Sequence, residues 1–474
     1  MNTFFLIVLL SMMCSRASAE DGVITFADAT VKNLCVTNWD TDGDGELSFE
    51  EAQAVKTIGT VFRLNETIIS FDELRYFTSI SSLEMYAFYN CSSLESIVLP
   101  PSVNMIGKYA FKWCSSLQRV VLSESLLSIA EQAFNQCVVL TEISLPDGLQ
   151  SIGFNAFQYC KELESIVIPA SVTSIDGNCF TSCYNLKSIV VDESNTKYNS
   201  GEGANAIIET KTNRLITGCQ STIIPATVTI IVSDAFSDCP LLTSIEIPNS
   251  VTTIGGWAFC ACTGLTNVKL SDSLHYIGPY AFASCSTLTS IEIPNSVTTI
   301  GEYAFYDSYC LRSVTSRITD VFATGANAFL NCGNAKLYVQ GDLIEQYRST
   351  SDWKRLANIE AIPATVMLSC NDGGKVSLNG GEDMSTTISE LIAMDGAVNS
   401  FVFTPNENCQ LEQVLIDGND VTKQVTNNTL NAVLNDGSKV IVSFRDVHSD
   451  MDVNHDGNVD ISDVVTLVNF ILEH

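Results

Sequence analysis

Apolar positions recur through the middle of this chain with a beat of 23 residues. Ten phenylalanines mark it: Phe88, Phe111, Phe134, Phe157, Phe180, Phe236, Phe259, Phe282, Phe305 and Phe329. The steps are 23 except for one of 56 and a last of 24. Every one of these but Phe180 follows an alanine; Cys179 takes that place once. Leu follows six positions after the Phe and Ile or Val nine after, as in Leu94 and Ile97. A cysteine stands three after nearly every Phe, from Cys91 to Cys332, and only Ser308 breaks that column. The fourteen residues Leu242–Gly255 return unchanged at Leu288–Gly301, two beats later.

Such a beat predicts a β solenoid. The stretch before each Pro alternates, which suits a short strand with Ile97 and Leu99 inward and Val98 outward. Pro100, Pro146, Pro169, Pro248 and Pro294 then end the strand, because proline has no N–H for a ladder. The Ser-Val-Thr-x-Ile-Gly run reads as a second short extended piece. One unit cannot cover its own apolar face, so units must stack and share a continuous core. The step of 56 equals two beats plus ten residues, and its NAIIETKTNRLITG segment predicts a hairpin inserted at about 192–222.

The flanks break the beat. Residues 342–362 read as a helical cap over the open end of the array, and 363–447 as a small β-domain of alternating runs between Asp-Gly and Asn-Asp-Gly turns. Residues 1–19 read as a signal peptide, an apolar run ending in Ala17-Ser18-Ala19. Cleavage after Ala19 is expected rather than lipidation at Cys14, because Ser11-Met12-Met13 makes a poor lipobox. No later stretch is long and apolar enough to span a membrane, so the mature chain is expected to be secreted or on the cell surface. The net charge of −30, with 24 Lys plus Arg, argues against nucleic acid or anionic lipid as partners.

Seventeen cysteines in an exported chain raise the question of disulfides. The regular column is expected to be a ladder of thiols acting as small core residues, since neighbouring rungs hold their Cβ vectors parallel. Cys35, Cys179, Cys219, Cys260, Cys310, Cys370 and Cys409 fall off the column and are the better disulfide candidates. Cys370 and Cys409 are alone in the β-domain, and their pairing is left open.

Calcium chemistry sits at both ends. In residues 20–75, Asp40, Asp42 and Asp44 occupy positions 1, 3 and 5 of a twelve-residue loop, with Gly45 at the sharp turn. Glu46 offers a backbone carbonyl, Ser48 a water-mediated contact and Glu51 a bidentate carboxylate. In residues 448–474, Asp452, Asn454, Asp456, Asn458, Asp460 and Asp463 fill the same positions around Gly457, ahead of an apolar helix face at Val464, Leu467, Val468 and Ile471. Two EF-hand-like modules binding Ca2+ are therefore expected, one capping the array and one ending the chain.

The unit IPNSVTTIGxxAFxxCxxLTSI resembles the bacterial BspA-like (Treponema-type) leucine-rich repeats, over about residues 83–362. That resemblance implies a leucine-rich repeat array (76–341) of an exported or surface protein, with extracellular protein or glycoprotein ligands and an adhesive role. The carboxyl tail resembles half of a type I dockerin, which implies a cohesin-like module as a further partner. Dockerins carry two such segments and this chain has one there, with Ile461 and Ser462 late in the loop. Two functions follow: adhesion or protein–protein interaction, or a non-catalytic subunit docking into a multiprotein, polysaccharide-related complex. No enzyme is expected: His275, His448, His455 and His474 stand in no metal or triad spacing. The candidate contact is the outward strand column Val98, Val121, Val167 and Val190, interrupted by Ser144. It changes to Glu246, Lys269, Glu292 and Thr315 in the later repeats. Strand propensity also favours valine there.

Overall fold

The computed structural model describes residues 22–332, 335–356, 358–384 and 389–447. The chain divides into two compact units. The first comprises Met1–Arg312 with Thr324–Gly333, and the second Ser313–Ala323 with Asn334–His474.

The first unit opens with two helices, α1 (Ala29–Trp39) and α2 (Phe49–Ala54). Asp28 caps α1: one carboxylate oxygen accepts from the Thr30 and Val31 N–H groups, the other from Ile69 N–H at 2.6 Å. The cap is thereby tied to the first turn of the array. Ser48 and Glu51 form a reciprocal capping box at the start of α2. The aromatic rings of Trp39, Phe62, Phe71 and Phe77 pack together at the seam, and Phe62 stacks on Phe88 at 5.2 Å. One apolar core runs without a break from Ile24 to Cys219.

The array beyond is a leucine-rich β solenoid with two parallel ladders. Ser96–Val98 pairs with Arg119–Val121, and Ser165–Ile168 with Ser188–Val191. The second ladder joins Ser82–Leu83, Met105–Ile106, Ser128–Ile129, Ser151–Ile152 and Ser174–Ile175. Register is fixed column to column, as in Ile97 against Val120 and Ile106 against Ile129. Identical side chains therefore stack. The beat phenylalanines form two ring stacks, Phe88 to Phe180, extended by Phe62 of the cap, and Phe236 to Phe329, with centroids 4.9 to 5.5 Å apart.

The inserted hairpin is present: Ala206–Glu209 pairs antiparallel with Arg214–Gly218. It does more than decorate a loop. Arg214–Gly218 also pairs in parallel with Ile230–Ile231, so the hairpin's second strand serves as a rung of the later ladder. Phe236 lies directly over Gly218, where an added Cβ would come within 2.1 Å of the ring. Glycine is required there by close approach, not by its backbone angle.

The second unit begins with three parallel strands, Ser313–Ser316, Lys336–Val339 and Asn358–Ala361. Residues 342–362 were expected to be helical, and only part of the segment is. Helix α3 (Ile344–Ser349) and a 3-10 turn at Trp353–Arg355 are followed by the strand Asn358–Ala361. Two anchors explain α3. The Tyr347 hydroxyl donates to the Ile318 carbonyl at 2.9 Å, and Trp353 Nε1 donates to the Phe322 carbonyl at 2.9 Å. The strand then offers free ladder positions to Lys336–Val339, which outweighs helix propensity. The rest of the unit is a two-sheet β-domain. Its five-stranded sheet contains Pro363–Cys370, Ser389–Met394, Cys409–Ile416, Asn419–Asp420 and Lys439–Asp446. The three-stranded sheet contains Gly374–Leu378, Val398–Pro405 and Thr429–Val433. Val366, Leu368, Phe401, Phe403, Leu430 and Val440 are among the side chains that fill the core.

Candidate functional site

The amino-terminal loop is built by short-range bonds. Gly43 and Gly45 N–H groups donate to the two carboxylate oxygens of Asp40, at 2.6 and 3.0 Å. Asp44 N–H donates to Asp42 and Glu46 N–H to Asp44. Gly45 takes φ +85°, a conformation glycine adopts without strain. The result brings ligand oxygens of Asp40, Asp42 and Asp44 within 4.8 Å of one another. The loop is held from behind by a bridge to the segment before α1, with Ile24 N–H to Leu47 carbonyl at 2.8 Å and Phe49 N–H to Gly22 carbonyl at 2.9 Å.

Glu51 is not part of that trio. One oxygen accepts from Thr41 N–H and Oγ1, and the other from Ser48 N–H and Oγ. The backbone N–H of Ser48, then that of Thr41, hold its pKa down to about 2. The Ser48 hydroxyl accepts from Glu51 N–H. The Glu46 side chain pairs with Lys32 at 2.6 Å. The carboxyl-terminal set Asp452, Asn454, Asp456, Asn458, Asp460 and Asp463 lies outside the described residues, as do residues 1–19, expected to be a signal peptide.

On the strand face, Ile97 and Leu99 are buried while Val98 is half-buried. Val121, Val167 and Val190 are 42%, 56% and 44% exposed. Val98 lies beside Val121, and Val167 beside Val190, in register. Ser144 is exposed between them. In the later turns Lys269 pairs with Glu246 at 2.6 Å.

The cysteine column has a bonding role. Cys91, Cys114, Cys137, Cys160, Cys183, Cys262, Cys285 and Cys332 each donate Sγ–H to the carbonyl of the phenylalanine one turn earlier, at 3.0 to 3.3 Å. Ser308 does the same with its hydroxyl, to Phe282 at 3.0 Å. Burial pushes the Cys114, Cys137, Cys183 and Cys262 thiols well up, so they stay protonated donors. The off-column cysteines offered as disulfide candidates are free as well. Cys179 donates to the Asp176 carbonyl at 2.7 Å. Cys370 and Cys409 flank one strand, opposite Val442 and Asp446. Two strand spacings and four residues separate them by roughly 16 Å, beyond disulfide reach.

Two left-handed columns escaped the sequence reading. The residues two before and two after each beat phenylalanine have positive φ, for example Tyr86, Asn90, Asn155, Asp238 and Asn331. Alternate N–H groups then point along the stack: Tyr86, Phe88 and Asn90 donate to the Lys108, Ala110 and Lys112 carbonyls of the next turn. The available signal was the scattered Asn and Asp in those columns (Asn90, Asn155, Asn178, Asp234, Asp238, Asp307, Asn327 and Asn331), residues that tolerate this conformation.

Residues 81–202 and 208–336, more than half of the chain, match the model of the BspA type leucine rich repeat region. The chain belongs to this family. Solved structures similar to this BspA-type chain include a leucine rich cell surface protein from Faecalibacterium prausnitzii. It is 27% identical, with 63% of this chain and 84% of that one covered, at a TM-score of 0.48. The pneumococcal vaccine antigen PcpA is 20% identical over 60% of this chain and 77% of its own, at 0.43. A T. pallidum leucine rich repeat protein is 29% identical over 39% of this chain and 72% of its own, at 0.28. No curated protein matches the chain. Among the described residues, no helix of this BspA-type protein is long and apolar enough to cross a membrane.

Proposed function

We propose that this BspA-type protein is exported to the cell surface and binds protein or glycoprotein ligands there, as a non-catalytic adhesion or interaction protein. The observation that carries the reading is the column Val98, Val121, Val167 and Val190. Three of its four valines are 42% exposed or more; Val98 lies in register with Val121 and Val167 with Val190, and the turn of the exposed Ser144, which forms no strand, separates the two pairs. Aligned exposed apolar side chains on a rigid ladder suit a desolvated contact. The change to Glu246 and Lys269 further along bounds that contact to the early turns.

Calcium is part of the proposal. The Asp40, Asp42 and Asp44 oxygens form a compact set of hard donors, and the N–H groups of Gly43 and Gly45 aim Asp40. Three carboxylates so close repel one another, and a divalent cation relieves that repulsion. When bound, the ion would cross-brace the loop with Glu51 at the start of α2. The docking alternative, through Asp452–Asp463, rests on residues outside the described ones, and nothing among the described residues favours it.

The test is a pull-down with the mature array as bait against matrix proteins, mucins and surface proteins of neighbouring bacteria. Specific capture of an extracellular protein or glycoprotein is expected. Capture of a cohesin-like module by the tail, with nothing held by the array, would replace this reading with docking.

A further inference from the structure

A cluster of aromatic and cationic side chains occupies the turns around Phe62, Phe88 and Phe111, on columns the valine contact does not use. Tyr86 and Tyr109 stack at 5.1 Å, Tyr86 meets Tyr89 edge-on at 5.1 Å, and Tyr89 meets Trp113 at 5.2 Å. Arg63 sits over Tyr86 at 4.9 Å and beside Tyr89 at 5.7 Å. Lys112 sits over Tyr109 at 5.3 Å and Trp113 at 5.1 Å. Trp113 is 42% exposed.

Three observations mark this cluster as more than packing. First, Tyr86, Tyr109 and Trp113 have φ of +66°, +62° and +67°. Bulky side chains are strained there. The column of Tyr86 and Tyr109 is aromatic again at Trp257, Tyr280 and Tyr303, but Trp113 stands in a column held elsewhere mostly by small or polar residues such as Asn90, Ser182, Asp238, Asp307 and Asn331. Second, the chain has 54 acidic residues, yet neither Arg63 nor Lys112 is in an ion pair among the described residues. Both cations rest on rings instead, and Lys112 Nζ donates to the Gln132 amide. Partial burial lowers the Lys112 pKa, opposed by Glu131, a cost that an arriving anion relieves. Third, neutral amides continue the face into the following turns. Gln132, Gln136 and Gln158 are half-buried there, and the buried Asn135 donates its Nδ2 to Gln158 Oε1 at 2.9 Å and holds that amide in place.

We propose that this cluster binds an acidic glycan: a pyranose face against the Tyr89 and Trp113 rings, its carboxylate or sulfate at Arg63 and Lys112, its hydroxyls at the amides. Ring faces take up the C–H face of a sugar, planar amides pair with vicinal hydroxyls, and cations over aromatic rings still attract an anion. An acidic peptide fits less well. Peptides add to a sheet through free backbone groups, and here the Tyr86, Phe88 and Asn90 N–H groups are already given to Lys108, Ala110 and Lys112. The inference goes beyond the proposed valine contact and can fail separately from it.

A second aromatic stack provides an internal control. Trp257, Tyr280 and Tyr303 occupy the column of Tyr86 and Tyr109, at 4.1 and 4.9 Å; Tyr306, edge-on to Tyr303, hydrogen-bonds Asp307, and among the described residues no lysine or arginine lies over these rings. Binding would be measured on the mature full chain by tryptophan fluorescence and calorimetry. The ligands are hexasaccharides of hyaluronan (carboxylate) and chondroitin 6-sulfate (carboxylate and sulfate), chitohexaose (neutral) and a hexaglutamate peptide. At least one acidic hexasaccharide should bind, and comparison of the two tells which anion is read. Trp113→Asn keeps the backbone conformation that Asn90 and Asn331 adopt, and should weaken binding by about tenfold or more, a loss worth 1.4 kcal/mol or more. Arg63→Gln with Lys112→Gln should do likewise, and Trp257→Asn should leave affinity unchanged. The proposal is overturned if neither acidic hexasaccharide binds at millimolar concentration, or if chitohexaose or hexaglutamate binds equally well. Unchanged binding by folded Trp113→Asn would overturn it too.

Discussion

The Cys114 thiol donates to the carbonyl of Phe88, 3.0 Å away in the preceding turn. That carbonyl already accepts from Cys91 N–H at 3.2 Å, so the thiol fills its second lone pair. Repeated along the array, except at Cys239 after the inserted hairpin, the bond links a turn to the one before it inside the core. It accounts for a small donor at this column, and for Ser308 as its one substitute.

Serine should therefore replace cysteine better than alanine does. At Cys137, which bonds to Phe111, the alanine variant is expected to be less stable than the serine variant by about 1 kcal/mol, the worth of one hydrogen bond. Urea unfolding of Cys137→Ser and Cys137→Ala measures this, and the reverse order would contradict it. Alkylation should leave Cys114, Cys137 and Cys160 unmodified in the native protein. After unfolding without reductant all three should react.

At the hairpin seam, Gly218→Ala pushes a methyl into the Phe236 ring. Overpacking a filled core costs about 1–3 kcal/mol. The same substitution at Gly177, where a Cβ would meet nothing within 4 Å, should cost much less. Equal losses at both sites would mean that the seam is not packed as described.

The repeat made much of the fold legible in advance. A column that recurs ten times reveals its inward side, so Ile97, Phe111 and Leu117 were assignable to the core without coordinates. The hairpin's polar turn between two apolar runs was equally plain. Other features depend on partners that sequence does not display. Arg214–Gly218 becomes a rung only because Ile230–Ile231 lies beside it. Asn358–Ala361 is a strand because Lys336–Val339 offers it an open edge. The Tyr86–Tyr109–Trp113 cluster was hidden for a different reason. Its residues sit in columns that vary from turn to turn, and only stacking at 23-residue intervals brings them together.

For the calcium loops, calorimetry on the wild type is expected to give two Ca2+ per chain. Extracellular modules of this kind bind at about 10⁻⁴–10⁻³ M. Asp44→Ala should remove one ion and Asp456→Ala the other. Unchanged stoichiometry in either variant would delete that site.

The Glu51 carboxyl should titrate near pH 2 in the calcium-free protein, because the Ser48 and Thr41 N–H groups favour its charged form. A depressed pKa stabilises the fold above the unfolded value, about 4.3 for glutamate. The contribution is lost as pH falls from there through about 2. Glu51 is only half-buried, so screening keeps the effect small. An NMR titration midpoint near 4 would show that these bonds do not form in solution.

In the proposed function, ligand meets the early valine column. The direct measurement is the affinity of the captured partner for the mature wild type and for Val121→Glu with Val167→Glu, alongside circular dichroism. Both side chains point away from the core, so the variant should stay folded while binding is abolished. Glu246→Lys with Glu292→Lys should change it little, since exposed rim charges act mainly on encounter rates. A folded valine variant that binds its partner as tightly as the wild type would contradict the account.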